Sequence, residues 1–283
     1  MPSPFDYHRA RVLLLEPPAA CVGTLRAQLL DNTYSKPFVI DDGERRYLHF
    51  DGRLVQSAMS LAAPNALELR YTQKMMSFLL FHSRPRRLLL IGLGGGSLVK
   101  FCHYRLPSSH LTVLENNRDV IAWRDAFLVP PDSPKLLVLE GDGAAYLERA
   151  DKGIDVLLVD AFDRTGFAPS LANRTFFEQA HAKLAGSGVL VVNLAGDEQS
   201  YAGVIGMAMQ VFDSQVIVFP VREDDNHVLL AFKNPIFEPN WRRLRDLAKE
   251  LRSKYGLDFP DFLEKIERSA KTGLARREAE RHH

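Results

Sequence analysis

The sequence predicts an α/β protein: a doubly wound, mostly parallel sheet with a small N-terminal antiparallel β-domain in front of it. Two observations carry the prediction. From Arg86 onward, near-continuous apolar strands alternate with amphipathic helical stretches, the pattern of a parallel sheet covered on both faces. Before them, "FVIDDGERRYLHFDGRLVQSAMS" (38–60) alternates apolar and polar residues around "DDG" and "DG", which are hairpin signals.

In chain order, residues 1–66 read as an N-terminal segment and the β-hairpin domain. The apolar run Val12 to Leu15 is four residues long, too short for a signal-peptide core or a bilayer span, so a soluble cytoplasmic protein is expected. Residues 67–237 read as the α/β domain with a lead-in helix. That helix is predicted from Leu67, Tyr71, Met75, Phe78 and Leu79, which fall at helical spacing. The alternation then runs from "RRLLLIG" through "RDVIAWRDAF" and "IDVLLVDA" to "HVLLAFKN". Its last two strands are separated by "REDDN", short enough to make them antiparallel neighbours. Residues 238–283 read as charged helices ending in a solvated tail.

The chain has 36 lysines and arginines against 35 acids, so no global field points to nucleic acid or an anionic membrane. A small ligand is the expected partner. Two cysteines, Cys21 and Cys102, are too few for a disulfide framework and read as reduced, buried thiols. His103, His110, His181 and His227 lack metal-ligand spacing, so no metal is expected.

"LLLIGLGGGSLVKF" places Gly92, Gly94, Gly95 and Gly96 between a buried strand and a helix. Bare glycine lets backbone approach a ligand at the carboxyl end of the sheet, where open α/β folds bind small molecules. Ser97 behind them reads as a helix cap and lacks the setting of a nucleophile. An acid about 20 residues on, here Glu115, suits a dinucleotide ribose. The next strand ends in "LEGDGAAYL", with Asp142 and Gly143, and the one after ends in "VDAFDRTG", with Asp160 and Asp163. Carboxylates accept hydrogen bonds, so this ring suits a cationic nucleoside better than a diphosphate. S-adenosylmethionine or its decarboxylated form fits: Glu115 would accept from the ribose hydroxyls and Asp142 from the adenine amine. Asp163 has two readings, a substrate contact or a local cap paired with Arg164. Tyr71 is either core or substrate contact, Gln56 either ligand contact or a cross-hairpin bond, and Asn193 either an acceptor contact or a loop cap.

These residues resemble the spermidine synthase family, the polyamine aminopropyltransferases, and in particular its bacterial spermidine synthase-like branch. The likeness runs from about Phe38 to Asn234 through "YTQKMM", "IGLGGGSL", "LEN", "GDGAAYL" and "DAFDRTGFAPSLANRTFF". It implies a class I methyltransferase-like Rossmann domain behind the β-domain, usually assembled as a dimer or larger, so a homodimer is expected here. It also implies transfer of an aminopropyl group from decarboxylated S-adenosylmethionine to an amine such as putrescine. By the resemblance, Asp160 deprotonates and orients the attacking amine, Asp163 is the second acid of that loop, Tyr71 the active-site tyrosine, and Gln56 the β-domain glutamine near the donor. The chain departs from the family pattern in five places. Gly95 stands where an aspartate grips the donor amine, Arg164 replaces a proline, Thr72 sits where a glutamine follows the tyrosine, Leu67 occupies the place of an acid, and Glu223 falls near a second substrate tyrosine. Two alternatives stay open: a methyltransferase using intact S-adenosylmethionine, and a non-catalytic nucleoside-binding relative.

Overall fold

The computed structural model describes residues 11–17, 19–52, 55–163, 166–195, 198–221 and 226–273. The chain begins with β1 (Arg11–Leu13) and α1 (Val22–Leu30), followed by β2 (Phe38–Asp41), β3 (Arg45–His49) and β4 (Val55–Ser60). The strands pair antiparallel in the order β1-β2-β3-β4. Asp42 shapes the β2–β3 turn by accepting from the backbone N–H of Glu44 at 2.9 Å and of Arg45 at 2.6 Å. The additions to the expected sheet are β1 and α1. The first is three residues long and the second buries only Leu29, so neither has a strong local pattern.

The lead-in segment forms α2 (Arg70–Met75) and then tightens into a 3-10 turn, Met76–Leu80. That change of pitch buries consecutive residues, Met75 through Leu80, where one continuous helix would bury a stripe.

The main sheet and its helices follow: β5 (Arg87–Ile91), α3 (Ser97–Arg105), β6 (His110–Glu115), α4 (Arg118–Ile121), β7 (Leu136–Glu140), α5 (Gly143–Arg149) and β8 (Ile154–Val159). A two-stranded ribbon, β9 (Phe162–Asp163) and β10 (Gly166–Phe167), precedes α6 (Arg174–Lys183), β11 (Leu184–Leu194), α7 (Glu198–Val211), β12 (Val216–Val221) and β13 (Asn226–Phe232). The described chain ends with α8 (Trp241–Tyr255) and α9 (Phe259–Thr272). The sheet order is β12-β13-β11-β8-β5-β6-β7, and β13 alone runs antiparallel to its neighbours β11 and β12. This is the expected doubly wound fold, with the final strand reversed as the short "REDDN" link requires. Strand order changes direction between β5 and β8, the place where open α/β sheets take their ligands.

Apolar residues cover both sheet faces. Leu90, Val113, Leu158 and Val191 pack with Phe78, Phe259 and Ile266, and Leu89, Leu157, Leu190 and Val192 with Phe176, Phe177 and Ile205. Each such side chain taken out of water contributes about 1.5–3 kcal/mol before its ordering cost. In α4 the structure departs from the sequence pattern. "RDVIAWRDAF" gives one turn of helix, because the chain then folds toward the β-domain. Trp123 donates its indole N–H to the Pro37 carbonyl at 3.3 Å, and Phe127 is buried beside the glycine turn. Cys102 is buried, but Cys21 is exposed.

Lys100, on α3, is fully buried and ties that helix to the four-stranded sheet and to the segment after α4. Its Nζ donates to the Phe127 carbonyl at 2.8 Å and to Met59 Sδ of β4 at 2.9 Å. Burial pushes its pKa down from 10.5 to about 8. Below about pH 8 folded and unfolded chains both hold the proton, and the burial cost is complete. Between about 8 and 10.5 the folded state has released it and the unfolded state has not, so stability rises with pH across that window. Lys100→Met is therefore expected to lose that rise. In urea unfolding at pH 7.5 and pH 10, the stability of the variant relative to the wild type should fall as pH increases; a pH-independent difference contradicts this.

Candidate active site at the carboxyl edge of the sheet

The glycine turn between β5 and α3 sits at the switch point. Gly92 has φ +100°, and a Cβ there would lie 2.0 Å from the backbone oxygen of Asp160. The Asp160 amide in turn donates to the Ile91 carbonyl at 2.9 Å. Only glycine allows this approach, which clamps the start of the turn to the end of β8. At Gly95 a Cβ would fall 2.7 Å from Ser57 Oγ and 2.9 Å from the Phe127 ring. The β-domain and the loop after α4 therefore close over this glycine, and the space an aspartate would need is already filled. Gly94 is more open, with only Ser57 atoms near a built Cβ, at 3.8 and 3.9 Å. Gly96, not Ser97, is the residue before the first turn of α3, and Ser97 Oγ donates instead to the Ala58 carbonyl at 3.3 Å. The cap expected at Ser97 is thus a tie to β4.

Across the edge the acids stand in the order Asp160 after β8, Glu115 on β6 and Asp142 after β7, with the glycine turn of β5 between the first two. Glu115 ends β6 and is buried. Its Oε2 accepts from the Leu93 amide and its Oε1 from the Asn117 amide, both at 2.9 Å. Burial pushes its pKa up, opposed by the backbone N–H groups of Leu93, Asn117, Gly94 and Asn116. Glu115 therefore braces the glycine turn, a role absent from the sequence reading; a carboxylate has further lone pairs for a ligand. Asp142 follows β7 and caps α5, its Oδ1 accepting from the Ala145 amide at 2.8 Å, and Gly143 is the buried first residue of that helix.

Asp160 follows β8 and is partly buried. Asn193 Nδ2 of β11 donates to its Oδ1 at 2.9 Å, and Tyr71 Oη of α2 donates to its Oδ2 at 3.3 Å. Burial pushes its pKa up from 3.8 to about 6; the Asn193 and Tyr71 hydrogen bonds pull it down, and the charge of Glu115 adds to the rise. A carboxyl poised near 6 is ionised at neutral pH yet basic enough to take a proton. The loop-cap reading of Asn193 is corrected: its side chain is buried and bonded to Asp160. Asn226, which donates to Asn193 Oδ1 at 2.9 Å, was missed by sequence reasoning. Its only local signal is an amide at the head of an apolar strand, "NHVLLAF".

Gln56 is the extra residue of a β-bulge in β4, because Leu48 pairs with Ser57 and His49 with Val55. Bulges re-aim side chains beside sites, and the next residue, Ser57, lies against Gly94 and Gly95. Asp163 belongs to β9, paired with Gly166. Its side chain, Arg164 and Glu223 lie outside the described residues. Among the described residues no cluster of histidine, cysteine or acid groups is arranged to hold a metal, and no helix is long and apolar enough to cross a membrane.

Comparison with known proteins shows the family. The spermine/spermidine synthase domain matches residues 68–203. A polyamine aminopropyltransferase of Chromobacterium violaceum is 33% identical over 232 residues, covering 82% of this chain and 89% of that protein. One from Neisseria meningitidis serogroup A is 34% identical over 227 residues, covering 80% of this chain and 86% of that protein. A solved structure, a probable spermidine synthase from Corynebacterium glutamicum, shares the fold with a TM-score of 0.63 at 21% identity, over 76% of this chain and 84% of that one. The chain belongs to the spermine/spermidine synthase family, the polyamine aminopropyltransferases.

Proposed function

We propose that this protein transfers the aminopropyl group of decarboxylated S-adenosylmethionine to a putrescine-like amine. The observation that carries the proposal is Asp160, an acid with a pKa near 6, hydrogen-bonded by Asn193 and Tyr71 and clamped against the glycine turn. In this reading Gln56, the turn of Gly92, Gly94, Gly95 and Gly96, Glu115, and Asp142 with Gly143 hold the donor. Their acceptors match the hydroxyl, amine and sulfonium groups of such a nucleoside. Asp160 and Tyr71 face the acceptor amine, and Asp163 is assigned to the same substrate as the second acid of the loop.

The reaction is a displacement at a carbon bonded to positively charged sulfur. The amine lone pair forms the new C–N bond, the C–S bond breaks, and its electron pair stays on sulfur, leaving neutral methylthioadenosine. The nitrogen becomes cationic and sheds a proton. An alkyl ammonium has a pKa near 10, so at neutral pH the free substrate is mostly protonated and cannot attack. Asp160 binds that cation, receives a proton from it directly or through water, and stabilises positive charge growing on nitrogen. Holding donor and amine in line supplies the remaining advantage.

A second reading, methyl transfer from intact S-adenosylmethionine, is favoured by Gly95, where Ser57 and Phe127 leave no room for an acid. One experiment separates the two: incubation with each donor and a panel of amines, followed by identification of the nucleoside product. Methylthioadenosine supports the proposal; S-adenosylhomocysteine overturns it in favour of methyl transfer. Neither product, with donor binding intact by calorimetry, overturns both. The family resemblance also supports a cytoplasmic homodimer, which sedimentation velocity tests for assembly.

A further inference from the structure

The Asp160 carboxylate ends a chain of side-chain amides that starts two strands away. In the sheet β11 lies between β8 and β13, and both Asn193 and Asn226 are buried. Asn226 Nδ2 donates to Asn193 Oδ1, and Asn193 Nδ2 donates to Asp160 Oδ1, each at 2.9 Å. The order of the chain is set by chemistry. An ionised carboxylate only accepts, so Asn193 must turn its NH2 toward Asp160 and leave its carbonyl oxygen facing Asn226. The two ends of an amide differ little in shape, and a half-turn of Asn193 would set oxygen against carboxylate. A donor on the other side of Asn193 opposes that half-turn. Placing two amides in apolar strands is costly unless they are hydrogen-bonded.

We propose that Asn226 is a positioning residue for the reaction: it locks the Asn193 amide in the orientation that donates to Asp160, keeping that carboxylate ionised and aimed at the amine. The proposal rests on the reading of Asp160 as the group that receives the amine. The other described groups acting on Asp160 are Tyr71 from α2, which donates to Oδ2, and Glu115 from β6, whose negative charge opposes ionisation. Neither is altered by substitution at 226.

Asn226→Asp keeps the size of the side chain but presents acceptors, which turns Asn193 so that its oxygen faces Asp160. The acid limb of kcat/KM for the amine is expected to move up by about one pH unit, a tenfold loss below the limb. KM for the sulfonium donor should stay within about twofold, a split that a general packing defect would not produce. Asn226→Leu removes the donor without reversing it and should move the limb the same way by less. A wild-type limb in whichever of these variants folds, with Asp160→Asn inactive, overturns the proposal alone. Wild-type rates in Asp160→Asn overturn the reading of Asp160 and the proposal with it.

Discussion

Asp160→Asn is expected to lose on the order of a thousandfold in kcat while binding the sulfonium donor about as well as the wild type. The amide has nearly the same shape; its oxygen can still accept from Asn193 and its NH2 can donate to the Tyr71 hydroxyl, so the site remains built, but it can neither take a proton nor neutralise an ammonium. The same variant should be more stable at neutral pH. Asp160 has its pKa raised from 3.8 to about 6, so the folded state disfavours the charge. That cost is complete above about pH 6 and vanishes as pH falls to about 4, where both states are protonated. An uncharged amide never bears it. The gain is on the order of 1–3 kcal/mol at pH 7.5, read as a higher Tm that converges with the wild type near pH 4. A variant that is inactive but no more stable would mean that the carboxylate is better solvated than its burial shows; an active variant would remove Asp160 from the chemistry.

Gly92→Ala is expected to damage stability and catalysis together. The new methyl would sit 2.0 Å from the Asp160 oxygen and 2.7 Å from its carbonyl carbon, and both atoms are backbone that cannot swing aside. The residue also has φ +100°, where a Cβ is strained even in open space. Relief requires pulling β8 away from the turn, which moves Asp160. The expected cost is about 3 kcal/mol or more, with kcat falling in the protein that remains folded. Gly23→Ala in α1 is the control, since nothing lies within 4 Å of a Cβ there and alanine favours helix by about 1 kcal/mol. Equal melting temperatures for Gly92→Ala and the wild type would show that the turn is not clamped.

The parts of this site that were legible in the sequence are those fixed by local chemistry. Glu115, Asp142 and Asp160 end apolar runs, and in a parallel sheet the ends of such runs share one edge. The hairpins were legible from "DDG" and "DG", and the reversal of β13 from the shortness of the link before it. The rest depends on contacts between distant segments. Asn226 reaches Asp160 only because β13 inserts beside β11, which no local pattern encodes. Glu115 binds the backbone of Leu93, 22 residues away, so its side chain gives no hint that it braces the turn. Phe127 closes over Gly95 because the segment after α4 turns back toward the β-domain; its helical periodicity predicted a longer helix there.

The most direct test of the account is the pH dependence of kcat/KM for the amine in the wild-type enzyme, measured from pH 5 to pH 9. A limb near pH 6, below which activity falls tenfold per unit, is expected from the Asp160 carboxyl. Activity unchanged down to pH 5 would contradict the claim that a partly buried carboxylate at the end of β8 receives the attacking amine.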